Sequence, residues 1–382
     1  MNKIFKINSY DIDLKSSEKK FALECLKYNQ IATGRFKKKF ENSIKKLTRS
    51  KYAVACSNGS SALFLSMKLS GVKKDTEVIV PSFTFIATVN AIKLNNANPI
   101  FMDVDNFHNI DQLKTIEFLK KNTFTRNNKT YNSKTNKHIS AIIIVHMWGR
   151  PADFSKLFII AKKMNIKIVE DAAEALGSKY TSGKFKDKYV GTIGDFGCLS
   201  FNANKIITCG GGGMILTNKK EMETKINHII TQAKKDKIFF VHDQIGYNLN
   251  LSNIQCAIGY GQSLNFKKIL KRKEKIYNFY LKNFKKKTHL SFLEEPSYAI
   301  SNKWFNILSI KTSNKKNLIK KVNSLRRNKI DVRGVWYPID LQIMYRKYQK
   351  FKIKKTYEIA NNSICLPSGP NLTIEQQKKI IN

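Results

Sequence analysis

The chain has 382 residues, of which 42% are hydrophobic and 11% aromatic, a composition typical of a globular protein. At this length one hydrophobic core rarely suffices, so a large domain and a smaller one are expected. The formal net charge of +41 raises the question of nucleic-acid or membrane binding. The lysines are spread along the whole chain, however, and the short basic clusters lack interleaved aromatic residues. We therefore interpret the charge as a solvated surface and predict neither a nucleic-acid partner nor membrane insertion.

The cysteines and the amino terminus exclude further classes. The six cysteines are scattered without paired spacing, and the six histidines do not lie near them as metal ligands would. No metal site is predicted. The first eight residues are too polar for a secretory signal, and no apolar run approaches the length that spans a membrane. The sequence therefore predicts a cytoplasmic protein.

The first part of the chain alternates between strands and helices. Strands are predicted at residues 52–56, 77–80, 99–104, 141–145 and 166–169, mostly with helical patterns between them. Such alternation is typical of a mainly parallel sheet covered by helices. The Lys-, Asn- and Thr-rich segment 120–137 is predicted to be an exposed excursion.

After residue 246 the pattern changes to longer helices. We predict helices at 254–264, 269–284 and 317–327, with a strand at 305–311. The division is therefore placed near residue 244, with a large domain at 1–244 and a small carboxyl-terminal domain at 245–382.

In chain order, the first element with chemical meaning is the strand at 52–56 and the polar turn after it. Asn58, Gly59, Ser60 and Ser61 precede a helical pattern. Exposed N–H groups at the start of that helix, aided by the Ser60 and Ser61 hydroxyls, would form a phosphate cradle. An ordinary serine-capped helix fits these residues equally well.

The second element is the apolar strand 166–169, which ends in Glu170 and Asp171. Carboxylates at the carboxyl end of a parallel strand lie where α/β sheets bind ligands. Asp171 fits the carboxylate that keeps the ring nitrogen of pyridoxal phosphate protonated. The alternative is that Glu170 or Asp171 only caps the next helix.

The third element is Lys205, which follows Ser200 closely and precedes the four glycines at 210–213. An amine beside a glycine-rich turn suits Schiff-base chemistry with a bulky, phosphate-bearing aldehyde. A single lysine is more often a solvated charge. Together, Lys205, Asp171 and the cradle indicate pyridoxal phosphate.

These residues resemble the nucleotide-sugar aminotransferases of the DegT/StrS class, which are fold-type I pyridoxal phosphate enzymes. The resemblance runs over nearly the whole chain, through Gly34 with Phe40 and Glu41 and through residues 58–63, 81–88, 146–153, 170–178, 200–213, 246–248 and 366–369. It implies an α/β fold with a large domain built on a mainly parallel, seven-stranded type of sheet, and a smaller α+β carboxyl-terminal domain.

The resemblance also implies a role for each candidate site residue. Lys205 looks like the Schiff-base lysine, Asp171 like the partner of the ring nitrogen, and Phe85 like the ring that stacks on the cofactor. Ser60, Ser61 and Ser200 look like phosphate ligands, and Glu174 stands where the family places a side chain near the phenolic oxygen. Asn248 resembles an asparagine that reaches the phosphate in a neighbouring subunit, so a homodimer with shared sites is expected.

The implied reaction moves an amino group, from L-glutamate in most of the family, to a keto group of a nucleotide-linked sugar for surface-glycan biosynthesis. The residues around Lys205 look closest to the subgroup that acts on 4-keto-6-deoxy-N-acetylhexosamines or related perosamine precursors. Lys205, once freed, is expected to move a proton between the donor Cα and the cofactor. Departures from the family pattern lie at Gly211, at Leu249 and Asn250, and at Gln342.

Two alternatives stay open. A 3-dehydrase of the same family would typically carry histidine in place of Lys205, so the lysine argues against it. A non-catalytic regulator or nucleic-acid-binding protein would keep the fold without the cofactor. His146 and Trp148 follow a buried strand and are candidates to face the ligand, but a packing role is favoured for His146.

Overall fold

The computed structural model describes residues 6–236, 238–310 and 315–381. Its helices are α1 (Ser16–Lys27), α2 (Phe36–Thr48), α3 (Gly59–Leu69), α4 (Ile86–Leu94), α5 (Gln112–Lys121), α6 (Ser155–Lys163), α7 (Lys220–Ile230), α8 (Asn253–Leu264), α9 (Phe266–Phe284), α10 (Lys315–Arg327), α11 (Lys355–Asn362) and α12 (Ile374–Ile381). Short 3-10 turns lie at Met147–Gly149, Gly183–Phe185 and Ile339–Leu341.

The strands are β1 (Tyr52–Cys56), β2 (Thr76–Pro81), β3 (Asn98–Met102), β4 (Thr123–Arg126), β5 (Lys129–Asn132), β6 (His138–Val145), β7 (Lys167–Asp171), β8 (Lys179–Tyr180), β9 (Phe196–Ser200), β10 (Gly213–Thr217), β11 (Leu290–Phe292), β12 (Ala299–Ile300), β13 (Asn306–Ile310), β14 (Arg333–Gly334), β15 (Lys350–Phe351) and β16 (Ser363–Leu366).

The central sheet has the strand order β1-β10-β9-β7-β6-β2-β3-β15. Strand β10 is antiparallel to both of its neighbours, and the other neighbouring pairs along this order are parallel. Every residue of β2 is buried, as are those of β6 after His138, because helices cover both faces of the sheet. The predicted α/β class with a mainly parallel central sheet is confirmed.

Two parts of the sheet differ from the sequence expectations. The segment 120–137, predicted as an exposed excursion, contains the hairpin β4–β5, which joins the sheet where Tyr131 pairs with His138. Strands β9 and β10 were not predicted as strands. Both are short and contain or border glycine, so their alternation is too weak to identify from sequence.

The carboxyl-terminal part forms a second sheet with the order β11-β13-β16-β14, antiparallel throughout. Side chains of this sheet and of α9, α10 and α12 share a separate hydrophobic core. The same part of the chain also adds β15 to the edge of the central sheet. The division at residue 244 stays a prediction. None of the described helices is long and apolar enough to cross a membrane.

Candidate active site

A cavity of about 260 Å³ opens at the carboxyl edge of the central sheet. Strands β7 and β9 are parallel neighbours, so their last residues, Asp171 and Ser200, meet at this edge. Six of the eight predicted site residues line the cavity, namely Ser60, Phe85, Asp171, Glu174, Ser200 and Lys205. Ser61 and Asn248 are not among its lining residues.

Lys205 lies in the turn after β9, where its backbone N–H donates to Asn202 O at 3.0 Å. Its side chain is 13% exposed, and Nζ lies 3.9 Å from Glu174 Oε1. Burial lowers the pKa of the Lys205 amine, and the carboxylates of Glu174 and Asp171 oppose that effect. A lowered pKa increases the fraction of neutral amine, which is the nucleophilic form.

Asp171 ends β7 and is 6% exposed. Its Oδ2 accepts a hydrogen bond from the Thr88 hydroxyl at 2.7 Å, and its Oδ1 accepts from the Ala173 N–H at 3.2 Å. Burial raises the pKa of this carboxyl group, while the two hydrogen bonds lower it. A buried carboxylate of this kind is stabilised by a cationic partner in the cavity.

Glu174 lies in the turn after β7, and its Oε2 accepts the Trp148 backbone N–H at 2.7 Å. Trp148 has the positive φ of 59° within the turn Met147–Gly149, a conformation that a non-glycine residue adopts rarely. Burial raises the pKa of Glu174 to about 7, with the Lys205 charge opposing the rise. Glu174 therefore titrates near neutral pH.

The start of α3 forms the opposite wall. Asn58 caps this helix, with its Oδ1 accepting the Ser61 N–H at 2.8 Å, and the hydroxyls of Ser57 and Ser61 are 2.9 Å apart. The cap is thus an asparagine rather than a serine. A Cβ on Gly59 would lie 2.8 Å from the Ser200 Cβ, so the backbone at Gly59 passes close to the end of β9. The N–H groups at the start of α3 and the hydroxyls of Ser60 and Ser200, which line the cavity, favour an anion here.

Aromatic side chains form the remaining wall. Phe85 precedes α4 and is 51% exposed, with its ring centroid 5.5 Å from that of Trp336. The three tryptophans of the chain meet here. The Trp148 ring centroid lies 6.2 Å from that of Trp304 and 5.2 Å from that of Trp336.

Sequence reasoning missed three side chains of this site, namely Thr88, Trp304 and Trp336. Thr88 fell within the family-like segment 81–88, and Trp336 lies shortly before the departure at Gln342, but neither was given a role of its own. Trp304 lies in the segment between β12 and β13, and the sequence gave no sign of its role beyond its being one of three tryptophans. It places its ring centroid 4.0 Å from Lys205 Nζ.

His146 is a buried packing residue. Its Nδ1 accepts the Ala152 N–H at 3.1 Å, so Nε2 carries the hydrogen and donates to Glu170 Oε2 at 3.0 Å. Glu170 also accepts the backbone N–H groups of the loop at residues 191–194. Glu170 therefore fixes a loop rather than capping a helix.

Asn248 lies on the surface, bridged to Thr231. Its predicted contact with a phosphate in a neighbouring subunit stays a prediction, because a single chain does not test it. Ser61 lies one residue beyond the cavity wall formed by Gly59 and Ser60.

The donor set fits one kind of small molecule. An anion-binding helix start, a buried carboxylate, an amine of lowered pKa and a half-exposed phenyl ring surround the same space. A planar aldehyde that carries a phosphate and a basic ring nitrogen would find a partner for each of its groups here.

Known proteins of one family resemble this chain over nearly its whole length. A model of the DegT/DnrJ/EryC1/StrS aminotransferase family matches residues 13–382. GDP-perosamine synthase of Escherichia coli O157:H7 is 36% identical over 369 residues, which cover 96% of this chain and 94% of that protein. The putative pyridoxal phosphate-dependent aminotransferase EpsN of Bacillus subtilis (strain 168) is 29% identical, with coverage of 95% and 91%.

Solved structures share the fold. Helicobacter pylori PseC, an aminotransferase involved in the biosynthesis of pseudoaminic acid, aligns with a TM-score of 0.87 at 24% sequence identity. The alignment covers 98% of this chain and 97% of that chain.

Proposed function

The chain belongs to the DegT/DnrJ/EryC1/StrS family of pyridoxal phosphate-dependent aminotransferases, and we propose that it aminates a keto group of a nucleotide-linked sugar. The observation that carries the proposal is that Lys205, Asp171 and the start of α3 line one cavity. The acceptor class is supported by the 36% identity to a GDP-perosamine synthase over almost the full length of both proteins. We further propose a 4-keto-6-deoxyhexose as the sugar and L-glutamate as the amino donor.

The residues of the cavity fit pyridoxal phosphate. When bound, this cofactor supplies an aldehyde that takes up the amino group and a ring that stabilises the negative charge left by proton removal. Lys205 would bind the aldehyde, and Asp171 would keep the ring nitrogen protonated. Ser60, Ser61 and Ser200 would hold the phosphate at the positive end of α3.

The other walls orient the cofactor ring. Phe85 would pack on its face, and the half-exposed position of this phenyl ring supports that role. Glu174 would lie near the phenolic oxygen. Its pKa of about 7 allows this carboxyl group either to donate or to accept a hydrogen bond at neutral pH.

Lys205 also serves as the base in this proposal. Because burial lowers its pKa, more of the free amine is neutral than in an exposed lysine, and this neutral form can accept the proton from Cα of the amino donor. The same nitrogen, once protonated, would deliver this proton to the cofactor, and in the acceptor half of the reaction it would carry a proton in the reverse direction, from the cofactor to the sugar carbon.

We also propose a homodimer with shared sites. The loop before Asn248 exposes a group of apolar side chains: Ile238 at 78%, Phe239 at 80%, Phe240 at 63%, Val241 at 50% and Ile245 at 79%. Exposed apolar groups of this size mark association surfaces. A second copy of the chain would cover them and bring Asn248 to the phosphate in its partner's cavity.

Single-turnover spectroscopy tests the function. The purified protein, saturated with pyridoxal phosphate, is expected to show visible absorbance that disappears when L-glutamate is added. The absorbance should return with one member of a panel of GDP-, UDP- and dTDP-linked 4-keto-6-deoxy sugars. The control is Lys205→Ala, in which glutamate should not remove the absorbance and no sugar should restore it.

The outcomes separate the parts of the proposal. Loss of absorbance with glutamate but no recovery with any sugar would overturn the acceptor class. An absorbance that glutamate leaves unchanged, while another amino acid removes it, would overturn the donor. A protein that binds no cofactor but binds DNA in a salt-sensitive manner would favour the non-catalytic alternative.

A further inference from the structure

Lys273 is a buried cation that the reaction described above does not use. It lies in α9, is 5% exposed, and donates from Nζ to two backbone carbonyls, Trp304 O at 2.7 Å and Ser368 O. Both acceptors are neutral, so these hydrogen bonds provide no carboxylate charge to offset the free-energy cost of removing the ammonium group from water. Burial lowers the pKa of Lys273 to about 7. An apolar side chain would avoid this cost, so the amine must matter for what it holds in place.

What Lys273 holds is Trp304. The carbonyl of Trp304 is fixed by Lys273, and its indole Nε1 donates to Asn204 O at 2.6 Å. Asn204 is the residue that directly precedes Lys205. Trp304 is therefore tied at its backbone to α9 and at its side chain to the turn that carries the lysine.

The indole ring then limits where the lysine amine can go. Lys205 Nζ lies 4.0 Å from the Trp304 ring centroid, within the range of a cation–π contact. The same nitrogen lies 3.9 Å from Glu174 Oε1, beyond hydrogen-bond distance. The amine thus contacts the indole ring and forms no hydrogen-bonded ion pair with Glu174.

We propose that Lys273 and Trp304 are positioning residues that hold the Lys205 amine away from Glu174, so that it stays available to react. This inference rests on the proposed role of Lys205. Without the indole, Lys205 would close onto Glu174, and the tighter ion pair would favour the protonated amine. The ring contributes no atom to the reaction in this scheme.

Other titratable groups also lie near Lys205. Besides Asp171 and Glu174, the titratable residues that share a wall with Lys205 are Tyr10, Asp11, Asp13 and Lys273. Asp13 is paired with Lys15 and Arg272. Trp304→Leu leaves all of these charged groups in place, so a change in Lys205 in that variant can be traced to the positioning contact. Lys273→Met also removes a cation from the same wall, so Trp304→Leu is the deciding variant.

The test measures the amine itself in the cofactor-free protein. Lysines are labelled with a trace amount of acetic anhydride at a series of pH values, and the peptide containing Lys205 is quantified by mass spectrometry. Trp304→Leu and Lys273→Met are expected to reduce the labelling of Lys205 at pH 8 by at least about threefold, equivalent to a pKa raised by about half a unit. Trp304→Phe, which keeps a ring face, is expected to lie closer to the wild type.

Lys303→Met is the matched control for Lys273→Met. Lys303 is also a buried lysine, 8% exposed, but it pairs with Glu295 and packs over the Tyr277 ring. This variant should leave the Lys205 labelling profile at the wild-type position. Circular dichroism and the melting temperature show whether each variant is folded before it is labelled.

Each outcome decides one question. A folded Trp304→Leu variant with an unchanged Lys205 profile would overturn the proposal, whether or not Lys273→Met folds. An equal shift in Lys303→Met would overturn the role of Lys273, because a buried lysine whose amine does not contact Trp304 O would then have the same effect. Borohydride fixation of pyridoxal phosphate tests the role of Lys205 separately, so failure of the proposed function is distinguishable from failure of this inference.

Discussion

Lys205 Nζ and Glu174 Oε1 lie 3.9 Å apart at the carboxyl edge of the central sheet, close enough to interact but not hydrogen-bonded. Burial disfavours the charge on each of them, and their mutual attraction restores part of it. The pKa of Glu174 consequently lies at about 7, and that of Lys205 is lowered. The protonation of Glu174 is therefore sensitive to pH in the neutral range.

The first prediction concerns the pH dependence of stability. Glu174 has a folded-state pKa of about 7 against an ordinary value of 4.5, so the folded protein binds more protons between these values. Its contribution to stability is complete below pH 4.5 and is lost as pH rises through 7. Glu174→Gln replaces the titrating carboxyl group with an uncharged amide, so the variant does not lose this stability as pH rises. Relative to the wild type, the cofactor-free variant should gain a few degrees of melting temperature between about pH 5 and pH 8.

The control for that measurement is Glu77→Gln. Glu77 is also buried with a raised pKa, but its partners are Asn132 and Thr135, away from the cavity. Only Glu174→Gln should also alter the pH profile of Lys205 labelling, because Lys205 loses an attraction that raises its pKa. Identical Lys205 profiles in the two variants would contradict the coupling.

The second prediction concerns Lys205→Ala. Loss of the base and of the covalent attachment point should reduce turnover by at least about a thousandfold. Pyridoxal phosphate should still bind, since the start of α3 and Asp171 remain. Borohydride treatment should no longer fix the cofactor to the peptide containing residue 205. Lys186→Ala, which changes an exposed lysine, should behave as the wild type does. Continued fixation at another lysine in Lys205→Ala would identify a different attachment site.

The third prediction concerns Thr88, whose hydroxyl donates to Asp171 Oδ2 at 2.7 Å. A hydrogen bond to a charged group contributes about 1.5–3 kcal/mol, so Thr88→Val should weaken cofactor binding by roughly ten- to a hundredfold. The pKa of Asp171 should rise further because one stabilising bond is gone. A fluorescence titration with pyridoxal phosphate measures the change.

Thr115→Val is the matched control for Thr88→Val. Thr115 is equally buried, and its hydroxyl donates at 2.7 Å to the carbonyl of Asp111, the residue that caps α5. Both variants should lose some thermal stability, but only Thr88→Val should lose cofactor affinity. Equal affinities in the two would show that Thr88 does not support the carboxylate.

Local pattern accounts for what could be predicted. Asp171 was identified because it ends an apolar strand, and a parallel sheet brings such strand ends to one edge. Lys205 was identified from the glycine run beside it. Lys273 reaches the site from α9, and Trp304 reaches it from the segment before β13. Their contacts arise from tertiary packing, so no local sequence pattern predicts them.

Element assignment followed the same rule. Long apolar runs such as β6 were predicted well, whereas β10, antiparallel within a parallel sheet, was not, because its direction depends on its neighbours rather than on its own residues. The helix cap at Asn58 was also missed. Serine and asparagine both cap helices, and only the structure shows which side chain accepts the Ser61 N–H.

The last prediction tests the shared sites of the proposed dimer. Asn248→Asp would place a negative charge beside the phosphate site of the partner subunit and should inactivate the enzyme. Lys205→Ala should also inactivate it, by removing the lysine of the subunit's own cavity. If each site uses Lys205 of one subunit and Asn248 of the other, a mixed dimer of the two variants has one intact site. Random assembly after co-expression should then restore about a quarter of the wild-type activity.

The control pairs Lys205→Ala with Asp171→Asn. Both residues line the same cavity of one chain, so every site in this mixed dimer carries at least one defect and no activity should return. Recovery in the first mixture and none in the second would locate Asn248 in the partner's site. Light scattering shows whether dimers are present in each mixture. If dimers form and neither mixture regains activity, Asn248 does not act in the partner's site. Only a residue that acts across the interface can be supplied by the other subunit.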